Sequence, residues 1–247
     1  MEKVNVLGVN FSNVTMDQAL DYSFNQFFKS ESKGHIIVTP NPEIVIKANQ
    51  ESDFSKMINQ ADLCLPDGIG VVLGAKYLNK SLKEKVGGYS YTMAVLERLA
   101  KQKGSVYLFG AGEGVAKKAA DKLSTDYPGL EIAGYHSGYY SQEDEIYIVE
   151  DIAASEADYL IVCLGAGRQE SFMYKYKDQL NVKAMIGNGG AIDTMTGVVK
   201  RAPDLWIKLG LEWLYRALDD KKRLQRVRVM IPAYFKLLRQ EKKTIRK

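Results

Sequence analysis

The chain has 247 residues, 46% of them apolar and 26% charged, a globular balance that supports one large α/β domain or a core with an appendage. Its net charge of +4 is unevenly spread: residues 201–247 carry +9 and the first 200 carry −5, an acidic body with a basic tail suited to an anionic partner. Two histidines and two widely separated cysteines argue against a His-built metal site or a disulfide framework, and no run approaches the roughly 18 apolar residues a membrane span needs.

The start, "MEKVNVLGVNFSNV", lacks a basic region followed by a long apolar core. With both cysteines inside apolar runs, a cytoplasmic location is expected. "KVNVLGVNFSNV" reads as a strand or hairpin, and the capping-box stretch Thr15 to Gln18 predicts a helix from residue 16. "GHIIVTPNP" is a buried strand ending at two prolines, followed by a helix through "EIVIKANQ". "ADLCL" is a strand leading into Asp67 and a short helix, and "GYSYTMAVLERLAKQKG" is an amphipathic helix stopped by Gly104.

Strands "SVYLFGAG", "LEIAGYHSGYY", "DYLIVCLGAG" and "VKAMIGNGG" then alternate with helices. That alternation predicts a Rossmann-like α/β fold, a mostly parallel sheet covered by helices on both faces. Beyond about residue 200 the chain becomes helical, aromatic and basic. Residues 1–200 are therefore expected to form the core and 201–247 an appendage, with Pro232 breaking the appendage into two helices.

Ligands of a parallel sheet collect outside the carboxyl ends of its strands. Three strands end there in glycine turns: "FGAGEG" with Gly110 and Gly112, "LGAGRQE" with Gly165, Arg168 and Gln169, and "GNGGAID" with Gly187, Asn188, Gly189, Gly190 and Asp193. Glycine admits close backbone approach, and a following helix N-terminus favours phosphate. A dinucleotide fits poorly, because Val115 stands where the third glycine of that fingerprint belongs, and no GxxxxGK[ST] loop occurs. A nucleotide-sugar remains compatible, and a nucleotide-binding oxidoreductase is the alternative of another class. No DxD triplet follows a strand, so no metal or other cofactor is expected, and leaving-group charge falls to amides, helix dipoles and cations.

Several polar residues stand at the same strand ends, each with two readings. Thr39 and Asn41 satisfy turn backbone or face a ligand. Asp67, between Pro66 and Gly68, is a helix cap or a base at the mouth of a site. Arg168 and Gln169 cap a helix, lie exposed or bind; Asp193 caps or binds; Lys85 is a solvated charge or part of the site.

The stretches "TPNPEIV", "ADLCLPDGIGVV", "LFGAGEGVA", "CLGAGRQE", "GNGGAIDTMTGVVKRAP" and "LGLEWLYR" run from about residue 38 to 216. Together they resemble the WecG/TagA/CpsF glycosyltransferases, most closely the TagA-like branch. The resemblance implies a Rossmann-like core, a C-terminal appendage that completes the site at the membrane, and an inverting, metal-independent transfer from a UDP-N-acetylhexosamine to a polyprenyl-diphosphate-linked sugar. In that branch the donor is UDP-N-acetylmannosamine and the acceptor undecaprenyl-diphosphate N-acetylglucosamine, giving the wall teichoic acid linkage disaccharide. A relative using another UDP-hexose or a UDP-N-acetylhexosaminuronic acid is the near alternative.

By position the resemblance makes Asp67 the general base, with Thr39, Asn41, Lys85 and Gln169 beside it. It gives the glycine turns and Asp193 to UDP and Arg216, Arg223 and Arg226 to the diphosphates. Two departures stand out: the family often has Arg at Lys85, where lysine lacks the bidentate fork, and "GAGRQE" is two residues shorter than the common "GxGSPKQE". The implied partner surface is the inner face of the cytoplasmic membrane, with a homo-oligomer left open. No RNA- or DNA-binding motif occurs, so nucleic acid is not expected.

Overall fold

The computed structural model describes residues 1–245, the side chains of residues 204, 208 and 222 excepted. A hairpin of β1 (Lys3–Val6) and β2 (Val9–Ser12) opens the chain. Leu7 and Gly8 both take positive φ at its tip, the backbone that a two-residue hairpin turn requires. Helix α1 (Met16–Ser23) starts at a complete capping box between Thr15 and Gln18 and continues as a single π turn, Phe24–Phe28.

The second sheet contains six strands, all parallel: β3 (His35–Val38), β4 (Leu63–Cys64), β5 (Ser105–Gly110), β6 (Glu131–His136), β7 (Tyr159–Cys163) and β8 (Ala184–Gly187). Their spatial order is β4-β3-β8-β7-β5-β6. Strand β5 runs on to β6 at one edge while β7 runs on to β8 in the other direction, which makes the carboxyl ends of β5 and β7 a topological switch point. Apolar strand residues alternate between two cores. Ile36, Val38, Tyr107, Phe109 and Leu160 face one, and Ile37, Leu63, Leu108, Ile161 and Ile186 face the other. Both faces are thus buried, as near-continuous Val/Ile/Leu strands require.

Helices α2 (Pro42–Gln50), α3 (Ser52–Gln60) and α4 (Ile69–Tyr77) follow the first two strands of this sheet, and α5 (Gly88–Lys101) precedes β5. Then come α6 (Val115–Asp126), α7 (Glu145–Ser155), α8 (Arg168–Tyr176) and the short α9 (Ala191–Met195). Helix α3 has no counterpart in the sequence reading. Its buried anchors, Phe54 and Ile58, are one turn apart within an otherwise polar stretch.

Beyond residue 200 lie α10 (Asp204–Lys208), α11 (Glu212–Asp219) and α12 (Lys221–Ile245). The expected break at Pro232 does not occur: α12 runs through it as one helix. Its buried Tyr234 and Leu238 join the core cluster that contains α2 and α4 residues. Packing of the partly buried Met230 before Pro232 and of Tyr234 and Leu238 after it offsets the missing amide hydrogen bond. Among the described residues no helix is long and apolar enough to cross a membrane.

Candidate active site

The carboxyl ends of β3 and β8 meet the N-terminus of α5. Thr39, buried just past β3, donates its hydroxyl to the Gly187 carbonyl at 3.3 Å. Asn188, just past β8, donates its side-chain amide to Thr92 Oγ1 at 2.8 Å. Gly88 lies between them, so close that a Cβ there would stand 2.9 Å from both Thr39 Oγ1 and Asn188 Oδ1. A glycine is needed at 88 for that approach. Asn41 caps α2, accepting the Ile44 amide at 3.1 Å, so the helix-starting reading describes its side chain.

Asp67 does not cap. Gly68, at φ 88, occupies the cap position of α4, and the helix has no side-chain cap. Two backbone hydrogen bonds fix the turn instead, Asp67 N–H to the Pro40 carbonyl and Val86 N–H to the Pro66 carbonyl. The half-buried Asp67 carboxylate therefore sits beside Gly87 and Gly88. Withdrawal from water pushes its pKa up to about 6, and the Glu212 carboxylate adds to that rise. The Gly88 amide, Lys85 and Arg216 oppose it. A carboxylate held near 6 is suited to accept a proton at neutral pH.

Gln169 is 2% exposed and both ends of its amide are engaged. Its nitrogen donates to Glu170 Oε1 at 2.8 Å and its oxygen accepts the Gly189 amide at 3.0 Å. Its contact is with the "GNGG" turn rather than open space. Beside that turn, a Cβ on Gly190 would lie 3.7 Å from Arg216 Nη2 and 3.8 Å from Asp193 Oδ2. Asp193 lies in the first turn of α9 without capping it, and burial raises its pKa against the pull of Arg216.

The three glycine turns differ. Gly110 has φ 134, and a Cβ on it would lie 2.4 Å from the Cys163 carbonyl, so the approach of β7 alone demands glycine there. Gly112 lies next to Val115. Gly165 and Gly189 have open space where a Cβ would point, at the strand ends where a ligand could approach. Arg168 is exposed over the Tyr140 ring and lines a separate groove of about 800 Å³ between α3 and α8, away from Asp67. Both cysteines are buried and free, and burial pushes the Cys163 thiol up to about 12, which keeps it unreactive.

The model of the "Glycosyl transferase WecG/TagA/CpsF family" matches residues 4–247. The chain belongs to this family. That assignment makes it a glycosyltransferase and removes the oxidoreductase alternative. Among the relatives is an N-acetylglucosaminyldiphosphoundecaprenol N-acetyl-beta-D-mannosaminyltransferase of Bacillus spizizenii, 38% identical over 84% of this chain and 79% of its own. Proteins of the same name from Bacillus subtilis and Staphylococcus aureus are 33% and 35% identical. The former match covers 98% of this chain and 93% of the relative, the latter 99% and 95%.

The family-type arginines of the tail converge on one side of the site. Arg223 is pulled below its ordinary pKa, first by burial and then by Arg216 and Arg226, with Glu43 and Asp220 opposing. Arg226 lies 4.0 Å from Glu43 at the start of α2. Arg216 Nε is buried without a hydrogen-bond partner among the described residues. Sequence reading overlooked Gly88, Thr92, Glu170 and Glu212. The Gly87-Gly88 pair after Lys85 was an available signal for the first, and Glu212 lies inside the recognised "LGLEWLYR" stretch.

Proposed function

We propose that this glycosyltransferase moves N-acetylmannosamine from UDP-N-acetylmannosamine to undecaprenyl-diphosphate N-acetylglucosamine, forming the wall teichoic acid linkage disaccharide at the inner face of the cytoplasmic membrane. The names of its relatives support the substrates. The single observation that carries the mechanism is Asp67, freed from capping and pushed up to about 6 at the mouth of the strand-end site.

Asp67 removes the proton of the acceptor hydroxyl as that oxygen attacks the anomeric carbon of the donor. The bond from that carbon to the diphosphate oxygen breaks, and UDP leaves with the electron pair. One displacement inverts the anomeric centre. The arginines of α11 and α12, with Arg216 beside the "GNGG" turn, meet the leaving charge. Residues 1–200 then form the catalytic core and 201–247 the membrane-facing appendage. In that appendage exposed Leu205, Leu209, Val229 and Phe235 lie among basic residues, a pattern suited to an anionic lipid surface. No metal is required in this scheme.

UDP release with a soluble lipid-diphosphate acceptor tests the reading. Asp67→Asn should lose on the order of 10²–10⁴-fold in rate, with UDP-N-acetylmannosamine preferred over UDP-N-acetylglucosamine and EDTA without effect. Wild-type turnover by Asp67→Asn removes Asp67 as the base. Deletion from residue 201 should abolish transfer and liposome binding, and full activity of the truncated core would remove the completing role of the tail arginines.

A further inference from the structure

The first turn of α11 is fastened next to the base. Gly210, at φ 71, approaches α4 so closely that a Cβ on it would lie 3.0 Å from Ile69 Cβ, and Ile69 is two residues beyond Asp67. Two residues past Gly210, α11 begins with Glu212, and Arg216 follows one turn later. Residues four apart share one helix face. Arg216 reaches the Gly190 turn, and Glu212 is within Coulombic reach of both Asp67 and Tyr89. A single helical face of the tail thus brings one anion and one cation to the rim of the site. The remaining groups acting on Asp67 come from the body: Lys85 and the Gly88 amide ahead of and within α5.

We propose that Glu212 is a positioning residue that acts through Asp67, its carboxylate making the docking of α11 a determinant of the strength of the base. The proposal rests on the reading of Asp67 as the base. Arg216 alone would favour the ionised, weakly basic carboxylate. Glu212 offsets that effect, so the tail supplies cations for the diphosphates without weakening proton abstraction. With α11 displaced, the base would lose Glu212 and its shelter from water together.

The test compares full-length wild type, Glu212→Gln, which removes the charge at nearly constant shape, and Glu212→Asp, which retains it. UDP release is followed from about pH 5 to pH 8, and the Asp67 carboxyl is titrated by carbon NMR, assigned with Asp67→Asn. In Glu212→Gln both the acid limb of kcat/KM and the titration should move down by roughly half a pH unit or more. One pH unit below the wild-type midpoint, that variant should retain roughly two- to threefold more of its plateau rate than wild type does. Glu212→Asp should behave as wild type. An unmoved titration in Glu212→Gln, or an equal displacement in Glu212→Asp, overturns the proposal. A titration that moves while the acid limb stays fixed leaves the coupling intact and overturns the reading of Asp67 as the base.

Discussion

Gln169 holds Gly189 in place: its side-chain oxygen accepts the Gly189 amide at 3.0 Å across 20 residues of sequence. The same side chain donates to Glu170, whose carboxyl burial pushes above its ordinary range. Gln169→Ala would leave the Gly189 amide unpartnered inside the fold and take one donor from Glu170, which keeps the Gly167 amide on its other oxygen. A loss of about 1–3 kcal/mol is expected in urea unfolding, the usual consequence of orphaned buried polar groups. UDP affinity, measured by calorimetry, should fall as well, because the "GNGG" turn loses its tether. Unchanged affinity would separate Gln169 from the site.

The pH dependence follows from Asp67. As a base it must be ionised, so kcat/KM should fall as pH drops through about 6. Stability runs the other way. A carboxyl whose folded pKa exceeds its unfolded value of 3.8 stabilises the fold below that value, and this contribution is lost as pH rises through about 6. Asp67→Asn should therefore melt above wild type at pH values beyond 6, with the difference shrinking towards pH 3.8. A variant that melts lower throughout would contradict the desolvation of Asp67.

Gly88→Ala forces a methyl to within 2.9 Å of Thr39 Oγ1 and Asn188 Oδ1. Overpacking at such a junction costs about 1–3 kcal/mol. The displaced turn would also move the Gly88 amide away from Asp67, so activity should fall more than stability does. Calorimetry and UDP release on one preparation would check this, and equal losses would make the junction purely structural.

Tyr234 is buried where α12 meets α4, and its hydroxyl has no hydrogen-bond partner among the described residues. Tyr234→Phe removes that orphan while keeping the ring, so stability should hold or rise by up to about 1–3 kcal/mol. Tyr234→Ala should instead lose about 3–5 kcal/mol or release the helix, visible as faster proteolysis of the tail. Destabilisation by the Phe variant would reveal a hydroxyl partner.

Much of this fold was legible in the sequence because its signals are local. Val/Ile/Leu strands, the Thr15 capping box and glycine turns each require only neighbouring residues. Helix α3 was missed because its Phe54 and Ile58 anchors are sparse, and Pro232 misled because its effect depends on partners far along the chain. The site divides in the same way. Asp67 and the "GNGG" turn stood out in the sequence, whereas Asn41 as a cap, Gln169 as a buried tether and Gly110 as a contact for Cys163 depend on tertiary neighbours. Asp67 itself could be read as cap or base until Gly68 was seen to occupy the cap position.

Helix α4 receives Gly210 on Ile69, and its Gly74 leaves room for Tyr234, whose Oη would lie 2.4 Å from a Cβ at that position. Both visitors come from more than 130 residues later in the chain. During synthesis the sheet and its glycine turns emerge first, and the segment beside Asp67 acquires its cover only when the last helices leave the ribosome. The order of translation thus leaves Asp67 without Glu212 and Arg216 in every incomplete chain, so that only the body's own groups, Lys85 and the Gly88 amide, act on it until synthesis ends.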